Sequence, residues 1–226
     1  MSLNRLILNR HGQNMHDNSD LYLFSDQLRK QTASGVILSG GLSSRHGGRN
    51  KALIDVGGEK IIDRIYQVMK TIFSDLILVT NEPDVYKHLG VKIVTDIYPC
   101  RSALTGLHAG LDAAMNTHAF FTACDAPLIK KELVELMLET YQPDYDVLVP
   151  ETSAGLEPLF AVYSKRCLPF IEHHLEQNKY KIRDVYKYLN VSSVDEEALR
   201  GKDDKLISFF NINTPELIDV ARDMIG

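Results

Sequence analysis

The chain has 226 residues, a formal net charge of −5 at pH 7, and 44% hydrophobic and 24% charged residues. These values are typical of a globular protein of about one domain with enough chain to bury a sizeable core. The acidic balance argues against a general affinity for nucleic acid, and no apolar run approaches the roughly 18 residues of a membrane-spanning helix.

The N-terminal stretch differs from the rest of the chain, because it contains the polar run "NRHGQNMHDNSD". We predict an appendage over residues 1–33 and one folded domain over residues 34–226. The apolar run "LIL" near the start is too short for the core of a signal peptide. Cys100, Cys124 and Cys167 are odd in number and form no CxxC pair. This pattern indicates buried thiols in a reducing compartment, so we predict a cytoplasmic protein.

From residue 35 onward, short apolar runs alternate with stretches of helical periodicity. The runs predicted as strands are, in chain order, "GVIL", "DLILVT", "VKIV", "AFFTAC", "DVLV", "PLFAVY" and "LISFF". Most are four to six residues long and rich in Val, Ile, Leu and Phe, as expected of strands that are buried on both faces.

Three of the intervening stretches predict amphipathic helices. They are "IIDRIYQVMKTIF", "KELVELMLETY" and "TPELIDVARDMI", the last with Thr214 as N-cap and Pro215 at the first helical position. Repeated strand–helix–strand units predict a single-domain, Rossmann-like α/β fold, in which a mostly parallel twisted sheet carries helices on both faces.

Polar residues follow four of the predicted strands, namely Ser39, Asn81, Asp96 and Asp125. Each one alone is explained by a polar residue that starts a turn. In an open α/β sheet, however, ligands bind outside the carboxyl ends of the strands. Four such residues in succession favour a ligand crevice at that edge.

A glycine-rich loop, "SGGLSSRHGGRNKAL", follows the first predicted strand. It is neither a Walker A motif nor a GxGxxG fingerprint. Consecutive Gly40 and Gly41 can still offer backbone N–H groups to phosphate oxygens, and Arg45 and Lys51 can add charge-assisted hydrogen bonds. Two cations leave a triphosphate under-neutralised, so we expect Mg²⁺ with Asp125 as its ligand.

The same loop, read as "LSGGLSSRHGGRNKAL", resembles the signature LAGGxSxRMGxxKAL of the molybdenum cofactor guanylyltransferases (MobA family). Further stretches agree in order: "VTNEPDVY", "VTDIYPCRSALTGLHAGL", "ACDAPLI", "GLEPLFAVY" and "FFNINTPEL". The resemblance covers roughly residues 35–226 and implies a nucleotidyltransferase domain with the nucleotide-diphospho-sugar transferase-like fold. Ser39 stands where Ala is usual, His46 where Met is usual, and Ser102 and Thr105 depart from GPLAGL.

The resemblance implies transfer of GMP from GTP to the phosphate of Mo-molybdopterin, with release of pyrophosphate. GTP and Mo-molybdopterin are then the substrates, and molybdenum-insertion proteins and molybdoenzyme chaperones are candidate partners. The catalytic residues implied are Arg45 on the departing pyrophosphate, Lys51 on the α-phosphate and Asp125 on Mg²⁺. The nucleotide-binding residues implied are Leu38, Ser39, Gly40, Gly41, Lys51, Asn81, Asp96 and Asp125. The acceptor-side residues implied are Glu157, Asn211 and Asn213.

Two alternatives remain open at this point. One is a related nucleotidyltransferase of cytidylyl or sugar-phosphate type, although Gly40 and Gly41 favour guanine because cytidylyl relatives more often read AAG there. The other is a nucleotide-binding regulatory protein without turnover, against which the presence of Lys51 and Asp125 argues.

Overall fold

The computed structural model describes residues 33–40 and 50–225. Its strands are β1 (Ser34–Leu38), β2 (Asp55–Val56), β3 (Glu59–Lys60), β4 (Leu76–Val79), β5 (Lys92–Val94), β6 (His118–Ala123), β7 (Val147–Thr152), β8 (Gly155–Leu156), β9 (Phe160–Ser164) and β10 (Val191–Val194). Its α-helices are α1 (Ile61–Ile72), α2 (Ala103–Ala113), α3 (Lys131–Thr140), α4 (Leu168–Glu176), α5 (Ile182–Val185), α6 (Glu196–Arg200) and α7 (Glu216–Ile225). Short 3₁₀ helices span Lys51–Leu53, Pro83–Leu89, Lys165–Cys167, Tyr186–Tyr188 and Ile207–Phe209.

The main sheet has the strand order β10-β7-β9-β6-β1-β4-β5, with β8 paired to β7. Strand β1 lies between β4 and β6 and is parallel to both, and β4 is parallel to β5. Strand β9 is antiparallel to its neighbours β6 and β7, whereas β7 and β10 are parallel. The prediction of a mostly parallel sheet is therefore confirmed, with one long strand reversed.

Helices cover both faces of the sheet, as predicted. On β1, Ile37 faces one hydrophobic cluster together with α1 and α3, whereas Val36 and Leu38 face a second cluster together with α2 and α4. All five residues of β1 are buried, because a central parallel strand has no face in solvent.

The predicted strand "LISFF" is wrong. Residues Ile207–Phe209 form a 3₁₀ helix, and Leu206 before it has a left-handed φ of 52°. The buried Asp203 carboxylate accepts the Ser208 N–H at 2.8 Å, which holds the chain in a tight turn instead of an extended strand. The helix predicted from Thr214 is confirmed, although its first helical residue is Glu216.

Strands β2, β3, β8 and β10 were not among the predicted strands. Strands β2 and β3 form a small hairpin around Gly57 and Gly58, whose φ values of +68° and +86° suit glycine. Strand β10 is an edge strand with Ser192 and Ser193 at its centre, so it lacks the apolar run by which buried strands are found.

The predicted appendage lies outside the described residues up to residue 32. Ala33 is described, is fully buried and belongs to the hydrophobic cluster that contains Ile37. Across residues 33–40 and 50–225, no helix is long and apolar enough to cross a membrane.

Candidate active site at the carboxyl edge of the sheet

The carboxyl ends of four parallel strands meet at one edge of the sheet. Because β1, β4, β5 and β6 share one direction, Ser39, Asn81, Asp96 and Asp125 all follow their strands at this edge. Asn81 and Asp96 are joined directly: Asn81 Nδ2 donates to Asp96 Oδ2 at 2.8 Å, and Asn81 Oδ1 accepts the Asp96 N–H at 3.4 Å. The pairing fixes the Asp96 carboxylate beside the end of β4.

The end of β1 is held by both neighbouring strands. The Leu38 carbonyl accepts the Cys124 N–H at 3.0 Å, and the Ser39 N–H donates to the Val79 carbonyl at 2.8 Å. Gly40 is exposed, and a Cβ built there would meet no atom within 4 Å. Packing against the described residues therefore does not require glycine at position 40.

Lys51 reaches across the edge from the other end of the loop. It begins the 3₁₀ helix Lys51–Leu53, and its Nζ donates to Asn213 Oδ1 at 3.1 Å. The backbone N–H of Ile212 donates to the Asp125 carbonyl at 2.8 Å, which ties the segment carrying Asn211 and Asn213 to the end of β6. The structure thus brings Lys51, Asp125 and the two predicted acceptor-side asparagines to one place.

The charges at this place are partly desolvated. Burial raises the pKa of the Asp125 carboxyl, and the nearby Lys51 ammonium opposes that rise. Burial, reinforced by the Asp125 charge, raises the pKa of the neighbouring Cys124 thiol to about 12. Cys124 is therefore a protonated thiol near neutral pH and not a thiolate nucleophile.

Glu157 lies at the same edge, on the connection between β8 and β9. Its N–H donates to the Pro150 carbonyl at 3.0 Å, and its own carbonyl accepts the Phe160 N–H at 3.0 Å. Burial raises the pKa of the Glu157 carboxyl, and Arg183 opposes that rise. Since Phe160 pairs with Thr122 near the end of β6, the reversed strand β9 starts where β6 ends.

The C-terminal segment is anchored by a buried charge that the sequence did not reveal. Lys130 Nζ lies 2.9 Å from Oδ1 of Asp203, whose side chain is 0% exposed. The Lys130 N–H donates to Ser208 Oγ at 3.0 Å, and the Ser208 N–H donates to Asp203 Oδ2 at 2.8 Å. We call Lys130, Asp203 and Ser208 the C-terminal clamp, because together they hold the chain just before Asn211.

Sequence reasoning also missed Asn50 and Tyr86, which lie among the site residues. Asn50 directly precedes Lys51, and Tyr86 ends the stretch "VTNEPDVY". Both lie within the motifs, but neither has a charge that would indicate a role in binding phosphate or metal. The predicted residues Gly41 and Arg45 lie outside the described residues, as does His46.

The donor set suits a magnesium ion completed by substrate oxygens. In residues 33–40 and 50–225, no group of three or more His, Cys, Asp or Glu side chains could hold a metal ion alone. Mg²⁺ in proteins is commonly held by one or two carboxylates together with phosphate oxygens and waters. The half-buried Asp125 carboxylate, whose charge is disfavoured by burial, is a suitable single protein ligand.

The parallel sheet and the residues at its carboxyl edge are those of the α/β nucleotidyltransferase class. The chain belongs to the family described as the MobA-like NTP transferase domain, which matches residues 35–194.

Curated relatives and a solved structure agree with this family. The chain is 42% identical to a molybdenum cofactor guanylyltransferase of Desulfosudis oleivorans over 83% of this chain and 93% of the relative. It is 41% identical to a probable molybdenum cofactor guanylyltransferase of Pelotomaculum thermopropionicum over 85% of this chain and 93% of the relative. The crystal structure of molybdopterin-guanine dinucleotide biosynthesis protein A from Archaeoglobus fulgidus superposes with a TM-score of 0.75 at 27% identity, covering 85% of this chain and 98% of that one.

Proposed function

We propose that this protein transfers GMP from GTP to the phosphate of Mo-molybdopterin and releases pyrophosphate, forming the molybdopterin guanine dinucleotide. The observation that carries the proposal is the hydrogen bond from Lys51 Nζ to Asn213 Oδ1, 3.1 Å long, beside Asp125. It joins the loop expected to hold the nucleotide to the segment expected to face the acceptor. The names of the relatives supply the substrates.

In the proposed reaction, an oxygen of the pterin phosphate attacks the α-phosphorus of GTP. The new P–O bond forms as the bond to the β-phosphate oxygen breaks, and that electron pair leaves with pyrophosphate. The attacking phosphate is already an anion, so no strong general base is needed. The barrier is instead the approach of two anions, which positioning and charge stabilisation reduce.

Each described residue then has a definite task. Lys51 stabilises the charge that develops on the α-phosphate. Leu38, Ser39 and Gly40 line the nucleoside and α-phosphate at the end of β1, and the Asn81–Asp96 pair contacts the base or the ribose. Asp125 would hold Mg²⁺, which when bound neutralises phosphate charge. Arg45 and Gly41, which lie outside the described residues, keep the roles implied by the resemblance, on the pyrophosphate and the nucleotide.

The acceptor side is assigned to three residues. Asn213, joined to Lys51, and Asn211, two positions before it, approach from the clamped C-terminal segment. Glu157 approaches from the start of β9 with a carboxyl group whose burial raises its pKa. A carboxylate in that position can accept hydrogen bonds from the N–H groups of a pterin ring. Glu157 is therefore a candidate for recognising the pterin of the acceptor.

The cellular setting follows from the same proposal. The cytoplasmic location that we propose rests on the sequence, in which three cysteines form no CxxC pair. Molybdenum-insertion proteins and molybdoenzyme chaperones are the partners we propose upstream and downstream of the reaction.

The test is a transfer assay with the purified full chain, Mo-molybdopterin, MgCl₂ and GTP labelled at the α-phosphate. The expected result is label in a molybdopterin dinucleotide, with one pyrophosphate released for each dinucleotide. Parallel assays with CTP and ATP address the cytidylyl alternative. Efficient transfer from CTP, or pyrophosphate release that does not depend on the pterin, contradicts the proposal.

A further inference from the structure

A buried phenol lies beneath the carboxyl edge and contacts both ends of the nucleotide loop. Tyr86, in the 3₁₀ helix Pro83–Leu89 after β4, is 0% exposed. Its hydroxyl is 2.7 Å from Ser39 Oγ and accepts a hydrogen bond from Asn50 Nδ2 at 2.8 Å. One hydroxyl therefore joins the residue that follows β1 to the residue that precedes Lys51.

The chemistry of Asn50, Tyr86 and Ser39 determines which group donates in each of these hydrogen bonds. The amide Nδ2 of Asn50 can only donate, so the phenol oxygen accepts from it and can give its own proton to Ser39 Oγ. Burial raises the pKa of Tyr86, which keeps the phenol neutral and able to do both. A satisfied polar network of this kind makes local geometry more rigid, because any displacement leaves a buried polar atom unpaired.

Asn50 transmits that geometry to Lys51. Its Nδ2 also donates to Glu82 Oε2 at 2.6 Å, and its Oδ1 accepts the Ala52 N–H at 3.1 Å. The Asn50 side chain thus caps the 3₁₀ helix of which Lys51 is the first residue. Lys51 in turn donates from Nζ to Asn213. The direction of the Lys51 side chain therefore depends on the position of this 3₁₀ helix.

We propose that Tyr86 is a positioning residue for Lys51, and that its hydroxyl, through Ser39 and Asn50, sets the direction in which the Lys51 ammonium points across the active-site edge. The consequence for turnover depends on the proposed guanylyl transfer, whereas the consequence for Lys51 itself does not. Ser39 has a specific part in this arrangement, because the alanine usual at its position would offer the phenol no partner.

The first test measures Lys51 directly in the full chain without substrates. The rate of acetylation of Lys51 by acetic anhydride is followed by peptide mass spectrometry, relative to that of Lys131. We expect Tyr86→Phe to raise the relative rate at least about threefold, since Lys51 is freed from its fixed direction. The matched control is Tyr141→Phe, which removes a tyrosyl hydroxyl that donates to the Tyr145 carbonyl at 2.9 Å, next to His118 at the far end of β6. The control should leave the rate unchanged.

The second test measures turnover. We expect Tyr86→Phe to lower kcat about tenfold while KM for GTP stays within about twofold, because small misplacements of a charge-stabilising group act mainly on the transition state. In a Lys51→Met background, Tyr86→Phe should cause no further loss, since the residue through which it acts is absent. A role limited to general stability would instead add its loss in both backgrounds.

The outcomes separate the two proposals. An unchanged Lys51 rate in a folded Tyr86→Phe protein, or an additive loss in the double variant, overturns the inference about Tyr86. A wild-type protein that transfers no GMP overturns the proposed function, and the acetylation rate still decides the role of Tyr86. If Tyr86→Phe does not fold, Ser39→Ala serves with the same acetylation measurement and should shift it in the same direction.

Discussion

Lys130 and Asp203 form an ion pair 2.9 Å long in which the aspartate is 0% exposed and the lysine keeps 32% of its side chain exposed. They come from the loop after β6 and from the turn that follows α6, so the pair joins segments that are far apart in the sequence. Together with Ser208 it fixes the path of the chain toward Asn211.

Breaking this pair should cost stability. Asp203→Asn removes the buried carboxylate of the pair and leaves the Lys130 ammonium only the more distant Asp204, 3.9 Å away. We expect a loss of about 2 kcal/mol or more in the free energy of unfolding at pH 7. Urea denaturation followed by circular dichroism measures it. The matched control is Glu135→Gln, which breaks the surface pair of Lys131 and Glu135 at 3.2 Å and should cost under about 0.5 kcal/mol.

The loss of stability in Asp203→Asn should also depend on pH. Burial raises the pKa of Asp203, but hydrogen bonds from Ser208 and Lys130 outweigh it, so the net pKa lies below the ordinary value of 3.8. A depressed carboxyl pKa stabilises the fold above the unfolded value, and that stability is lost as pH falls through the folded value. The difference in the free energy of unfolding between wild type and Asp203→Asn should therefore be largest at pH 6–7 and should decrease below about pH 4. A difference that stays constant down to pH 3 would contradict this account.

Asp125→Asn should separate activity from stability. The variant keeps the shape of the side chain but removes the charge proposed to hold Mg²⁺, so we expect kcat to fall on the order of a hundredfold or more. Because burial raises the pKa of Asp125, its ionisation disfavours folding once pH rises above the unfolded value near 3.8. At pH 7 the variant should have an equal or slightly higher Tm without ligand. Near-normal turnover, or a large drop in Tm, would make Asp125 a structural residue.

Nucleotide choice can be tested by thermal stability alone. A ligand that binds the native state stabilises it by mass action, by about 2.7 kcal/mol at a hundred times its Kd. In the presence of Mg²⁺, we expect GTP to raise Tm more than equal concentrations of CTP or ATP. Equal shifts with GTP and CTP would refute the guanine assignment, and loss of the GTP shift in Lys51→Met would place the nucleotide at the edge described above.

The N-terminal residues can be removed to test whether they reach the site. Deletion should end at residue 32 and not at 33, because Ala33 is fully buried in the core. We expect the truncated protein to transfer GMP within about threefold of the full chain, a change of under ~1 kcal/mol in the barrier. A folded truncation that loses a hundredfold would show that these residues contribute to the active site.

The sheet and its edge were predictable because they depend on local patterns. Buried apolar strands of a parallel sheet end together, so Ser39, Asn81, Asp96 and Asp125 could be placed at one edge before their contacts were known. Tyr86 could not be singled out, since it is an uncharged residue in the polar stretch "NEPDVYKH" and the sequence does not show that its side chain is buried. Asp203 was equally hidden, because its partner Lys130 is distant in the sequence.

The error at "LISFF" has the same origin. Its short run of apolar residues fits a buried strand, and nothing in the local sequence indicates that the Asp203 carboxylate accepts the Ser208 N–H. The charged carboxylate, once buried with Lys130, decides the conformation of the five residues that follow. Tertiary contacts thus override local propensity at this point.

The reversal of strand β9 brings a second kind of chain segment to the carboxyl edge of the sheet. Four strands, β1, β4, β5 and β6, have their carboxyl ends at this edge, so the residues placed there follow each strand. Strand β9 has its amino end at the same edge, so the residues placed there precede it. The turn from β8 into β9 can therefore vary in length or sequence without altering any residue that follows β1, β4, β5 or β6. Under the proposed function, this turn carries Glu157, one of the three residues assigned to the acceptor, so a change in the turn would alter one part of acceptor recognition and leave the proposed nucleotide-binding residues unchanged.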